Sequence, residues 1–233
     1  HKTPYTNRSQ LILMSSQEEL ALGEKSYKES LSELKVITGT KDALRVQTIG
    51  QKIAVAANQP NYKWEFNLVD DNQANAFCLP GGKVVVYTGI LKYAKNDDQL
   101  ATVISHEVAH ALARHGAERV TQGMIQQGVG LIGSVAVAAT APQYQNAFNQ
   151  AYGLGSNLGV MLPYGRMQES EADEIGIYLM HKAGYNVNEA TKFWENMSEG
   201  KSGGNDFFST QPSSQNRTKD IQTVINKIGN EAK

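Results

Sequence analysis

Two histidines four residues apart on a helix point the same way, and this chain carries such a pair in His106-Glu107-Val108-Ala109-His110. The pattern is H-E-x-x-H, in which both imidazoles reach one divalent metal ion and the glutamate stays off the metal. Glu107 lies one position from His106 and three from His110, on the flank of their shared face. From there a carboxylate can take a proton from a metal-polarised water, which is the general-base role in hydrolysis. Three of the five histidines fall between positions 106 and 115, which argues against a chance match on a surface helix.

A hydrolytic zinc ion takes three protein ligands and leaves one position open, so a further His, Asp or Glu is required. His115 is near. On a continuous helix, however, a residue five positions past His110 faces away from the pair, and a third histidine six positions on would fall at Gly116. His115 therefore reads as structural or supporting. Glu169 and Asp173 offer another solution: four apart in Glu169-Ser170-Glu171-Ala172-Asp173, they share a helix face. One carboxylate could ligate while the other accepts the second N–H of a ligating imidazole. Spacing alone leaves a rival open, because Glu171 and Glu174 make the same stretch look like an acidic face in water.

These residues need elements to hold them. Asn96-Asp97-Asp98-Gln99 supplies an N-cap with Gln at the third helical position, and Leu100, Val103, Ile104, Val108 and Leu112 follow at helical spacing. Upstream, Ser15-Ser16 with Glu18 and Glu19 starts a helix running to about Lys35. A second helix from Lys41-Asp42 turns Leu44, Ile49, Ile53 and Ala57 inward and stops before Pro60. The two form a clasp around the core. Trp64, Phe66 and Leu68 alternate with polar residues as in a half-buried strand. Asn75–Leu79 and Lys83–Thr88 are strand-like runs joined by Pro80-Gly81-Gly82, making this the one β region. Further helices are expected over Arg166–Lys182, Val187–Met197 and from Ser213 or Ser214 to Asn230. The class is α+β, mainly helical, with a zincin-like core: a short β-sheet beside the HExxH helix. Residues 1–15 read as an extended arm and residues 16–233 as one domain.

Composition narrows the function further. Forty per cent apolar and 19% charged residues suit a folded globular chain. A net charge of -1 with no basic stripe excludes a nucleic-acid partner. Cys78 is the sole cysteine, so no disulfide forms within the chain, and with no paired base nearby it reads as buried rather than nucleophilic. The apolar run Gly128–Pro142 falls short of the roughly 20 residues a membrane span needs. Gly128-Val129-Gly130-Leu131-Ile132-Gly133 fits a dinucleotide fingerprint, but neither a preceding strand nor an acidic partner accompanies it. Val120–Gly165 carries no charge at all, the composition of a shielded segment or of a lid over a cleft.

Asn75-Ala76-Phe77, Leu79-Pro80-Gly81-Gly82-Lys83, the His106–His110 motif, Arg166 with Glu169–Asp173, and Ser209-Thr210-Gln211-Pro212 with Arg217 together resemble one zinc endopeptidase family. It includes the CAAX prenyl endopeptidase, the heat-shock protease HtpX and the periplasmic protease-chaperone BepA, and the match runs from about residue 15 to 225. The resemblance implies that Glu169 is the third ligand of a single Zn2+ and that Asp173 supports a ligating His. It further implies the soluble periplasmic or lipoprotein branch, a bacterial periplasmic location, and misfolded or misassembled envelope or outer-membrane proteins as polypeptide substrates.

Thr3-Pro4-Tyr5-Thr6-Asn7-Arg8-Ser9 is similar to the segment after the lipid-modified cysteine of bacterial relatives, which implies peripheral membrane attachment through an anchor missing from this chain. Asn75, Ala76 and Phe77 would pair with an extended substrate, while Arg166 or Arg217 would polarise the scissile carbonyl. Gln211 departs from the family's usual His; it can donate a hydrogen bond but carry no proton, so a His-assisted or self-inhibitory step is not expected. Two rival functions remain: a zinc-stabilised chaperone or assembly factor with latent protease activity, and a metal-dependent hydrolase of non-peptide substrates.

Overall fold

A computed structural model of the chain describes residues 1–126, 142–152, 164–200 and 214–231. Helix α1 (Ser16–Glu33) starts on a capping box, in which Ser15 accepts from Glu18 N and Glu18 accepts from Ser15 N. Thr40 caps α2 (Lys41–Ala57), and Asn58, at φ 49°, ends it in the left-handed conformation two residues before Pro60. The inward face of α2 is Val46, Ile49, Ile53 and Ala54, whereas Leu44 is 63% exposed. The expected inward Leu44 is thus corrected: it lies five residues before Ile49, off the i, i+3, i+7 stripe set by Val46.

Four strands, β1 (Val36–Ile37), β2 (Glu65–Val69), β3 (Ala76–Leu79) and β4 (Lys83–Tyr87), form one sheet in the order β1-β2-β4-β3. The β3–β4 hairpin turns through Gly81 and Gly82, at φ 88° and 81°, a conformation only glycine adopts without strain. β2 pairs with β4 in parallel, Phe66 opposite Val84, and with β1 antiparallel. Two residues are too few to leave a periodic signal, and so β1 lies outside the one β region the sequence suggests.

Alternation along the strands divides the apolar residues between two cores. Phe66, Leu68, Ala76, Cys78, Val84 and Val86 face one side with α2, while Phe77, Leu79, Val85 and Tyr87 face the other with Tyr27 of α1. The two N-terminal helices therefore clasp the sheet from opposite faces.

Into the first core runs α3 (Asp97–Leu112), capped by Asn96 accepting from Gln99 N at 2.9 Å. It is buried continuously from Gln99 to Ala111. Against it lie α6 (Arg166–Lys182) and α7 (Glu189–Glu199), and α8 (Ser214–Glu231) packs on those two. The chain leaves α3 through Arg114, at φ 54°, and enters α4 (His115–Gln126). Arg114 is held there by Glu19 at 2.7 Å and the Met14 carbonyl at 3.1 Å. Within the uncharged segment, α5 (Pro142–Tyr152) buries Phe148 and Tyr152 against α4. Most of the remainder of the expected lid lies outside the described residues, as does Gln211.

Residues 1–10 are not extended throughout. Lys2 bridges Ser9, and the turn between them includes Tyr5 and Asn7 in the left-handed region. Tyr5 stacks on Tyr178 of α6 at 4.9 Å.

Candidate metal centre

Helix α3 presents His106 and His110 one turn apart, and α6 brings Glu169 opposite them. The two Nε2 atoms are 3.1 Å apart. Glu169 Oε2 lies 2.8 Å from His106 Nε2, and Oε1 lies 3.3 Å from His110 Nε2. All three residues are buried, and their ligand atoms lie within 4.8 Å of one another. Bonds of about 2.0–2.1 Å to a tetrahedral zinc set its ligand atoms about 3.3 Å apart; the two Nε2 atoms stand near that spacing, and Glu169 turns one oxygen toward each ring, so a nitrogen, nitrogen and oxygen donor set is gathered at one place.

The surroundings fix these rings. His106 Nδ1–H donates to Asp173 Oδ1 at 2.9 Å, which leaves Nε2 for the cluster. Asp173 is clamped by Arg217, with Nε 2.7 Å from Oδ2 and Nη2 2.8 Å from Oδ1, and the guanidinium lies 3.6 Å from the Trp194 ring centroid. Arg217 also reaches Glu169 at 3.5 Å. On the other side, Tyr164 stacks on His110 at 4.2 Å and His115 Nδ1 stands 2.8 Å from His110 Nδ1.

Charge is finely divided in the metal-free site. Burial disfavours a charged His106, but Glu169 and Asp173 outweigh it and raise that ring to about 10. Burial drives His110 down to about 3 despite Glu169. The Glu169 carboxyl, although buried, is held well below its usual range by the two imidazoles. Burial pushes Glu107 up to about 8; Glu169 adds to the rise, while His106 and Arg217 oppose it.

Among the sequence candidates, the structure brings together His106, His110, Glu107, Glu169 and Asp173. Arg217 joins them as the partner of Asp173. Arg166 is exposed at the first residue of α6. Asn75 precedes β3, where its side chain accepts from Ala76 N; Ala76 packs in the first core and Phe77 in the second, edge-on to Tyr87. His115 is no ligand, yet neither does it point away. The break at Arg114 returns its ring to His110. Tyr164 and Trp194 carry no motif, and Glu171, suspected of facing water, is buried.

Residues 40–225 match the family model for Peptidase family M48. The chain belongs to peptidase family M48. Within M48 it is 35% identical over 225 residues to the mitochondrial metalloendopeptidase OMA1 of Schizosaccharomyces pombe, covering 94% of this chain and 64% of that protein. It is 32% identical over 247 residues to OMA1 of Saccharomyces cerevisiae, covering 97% and 69%. The beta-barrel assembly-enhancing protease of Escherichia coli is 30% identical over 155 residues, covering 65% of this chain and 32% of that protein. The chain thus spans between 32% and 69% of the length of these relatives. Among the described residues no helix is long and apolar enough to cross a membrane.

Proposed function

We propose that this chain is a zinc-dependent endopeptidase, on the convergence of His106, His110 and Glu169 beside the buried carboxyl of Glu107. His106, His110 and Glu169 would hold the ion, whose chemistry is to lower the pKa of a water and polarise the scissile carbonyl. Glu107 takes the proton of the attacking water and passes it to the leaving amine. Asp173, locked by Arg217, holds His106 in the tautomer that presents Nε2. Residues 16–233 form the catalytic domain, and Asn75, Ala76 and Phe77 would pair with an extended peptide; the place of β3 at the end of the strand order supports this reading.

The substrates are misfolded or misassembled envelope proteins in the bacterial periplasm. Similarity to the beta-barrel assembly-enhancing protease supports this reading, as does the resemblance of Thr3–Ser9 to the segment after a lipid-modified cysteine. Gln211, in place of the family's His, favours one alternative: a zinc-stabilised assembly factor with latent proteolysis. Metal analysis of the purified chain, with casein digestion before and after chelation, tests the proposal. One zinc per chain and chelator-sensitive cleavage are expected; cleavage indifferent to chelator would overturn it.

A further inference from the structure

The metal centre as described ends at His115, but the hydrogen-bonded chain does not. His115 is fully buried, and its Nε2 lies 2.7 Å from Glu171 Oε1. Glu171 is met from the opposite end of the sequence by Arg8, whose Nε and Nη2 lie 3.1 and 3.0 Å from its oxygens. The same guanidinium forks onto Glu118 of α4 at 2.8 and 2.9 Å. Thr6 also donates to Glu171, at 2.8 Å.

For a neutral His115 ring, each link has one way to place its proton. A carboxylate held by Arg8 only accepts, so the hydrogen of His115 sits on Nε2. The Nδ1 of a neutral His115 is then an acceptor, and its partner 2.8 Å away must donate. That partner is His110 Nδ1. With its hydrogen there, His110 turns a bare lone pair at Nε2 toward His106 and Glu169.

We infer that Arg8, Glu171 and His115 form a positioning relay that fixes the tautomer of His110 and so prepares its Nε2 to bind metal. None of the three touches the ion. The relay ties residues 1–10 to the metal centre and does for His110 what Asp173 does for His106. The inference rests on the zinc reading above.

The test uses the full chain and zinc. Zinc affinity is measured by competition with a chelator, and the ring protonation of His110 is read in the metal-free protein from long-range ¹H–¹⁵N correlation spectra. Glu171→Gln keeps the shape but can present an amide N–H to His115, reversing every donor in the row. It should weaken zinc by about 10–100-fold, the usual effect of a ligand's hydrogen-bond partner, and move a hydrogen onto His110 Nε2. Should that variant not fold, Arg8→Ala is judged by the same two readouts, with a loss of about tenfold. Unchanged affinity in the variant, or weaker affinity with the His110 tautomer unchanged, overturns the relay. If the wild-type chain takes up no zinc, the metal reading itself fails; wild-type uptake with variants that bind equally well removes only the relay.

Discussion

His106 donates its Nδ1–H to Asp173 across 2.9 Å, and Arg217 closes on the same carboxylate from α8 at 2.7 and 2.8 Å. Three helices are thereby joined through one side chain that touches no candidate ligand atom. Replacing Asp173 with Asn weakens the hold on both neighbours with little change of shape. Zinc affinity of the chain should drop by about 10–100-fold. Chelator competition measures this, and an unaltered affinity would mean that Asp173 does not align His106.

On the proposed mechanism Glu107 is needed for turnover and not for metal. In Glu107→Gln one zinc per chain should remain, while cleavage of a peptide substrate falls by about 10²–10⁴-fold. Retained cleavage would sink the base assignment; retained cellular function without cleavage would favour the assembly-factor alternative.

Metal should also stabilise the fold, since α3 and α6 are otherwise joined at this point only by protein contacts. At a free zinc concentration 100 times the Kd the gain is about 2.7 kcal/mol. Calorimetric melting of His110→Ala and Glu169→Ala, with and without zinc, should show that increment abolished.

Acid should undo the docking of residues 1–10. Burial would raise the carboxyls of Glu171 and Glu118, but His115, Arg8 and Thr6 pull the first down to about 2, and Arg8 with Gln168 lowers the second. Both folded-state values lie below the unfolded one of about 4.3. Their stabilisation is therefore complete above that pH and disappears as pH falls toward 2. Urea unfolding of the metal-free chain between pH 6 and 2.5 should show this loss, with a shallower slope in Arg8→Ala; identical slopes would refute it.

The HExxH helix and its partner were legible because their signals are local: a cap at Asn96, candidate ligands four apart on α3, and carboxylates four apart on α6. Arg8 was not, since nothing in a polar run of ten residues announces a carboxylate 163 positions away. The supporting place of His115 could be read, but not its contact, because that depends on a left-handed residue at Arg114, where most side chains avoid such a backbone. In the sheet, the β3–β4 hairpin carries its glycines openly, whereas the parallel pairing of β2 with β4 skips a strand and leaves no local trace.

Leu44 and Val46 make that lesson measurable. Both are apolar residues of α2, yet only Val46 is buried. Leu44→Ala should cost less than about 0.5 kcal/mol in urea unfolding, and Val46→Ala about 1–3 kcal/mol. The reverse order would restore the inward face first read from the sequence.

The seam between α3 and α6 passes through Gly176, where an added Cβ would lie 3.2 Å from the His106 nitrogen and 3.3 Å from its Cα. The span from Glu169 to the two rings is therefore set by how closely two backbones can lie. A bulkier residue at 176 would widen the gap and carry the Glu169 carboxylate away from the two imidazoles. Such a variant should bind zinc more weakly, so that a residue with no side chain governs how tightly the three candidate ligands can gather.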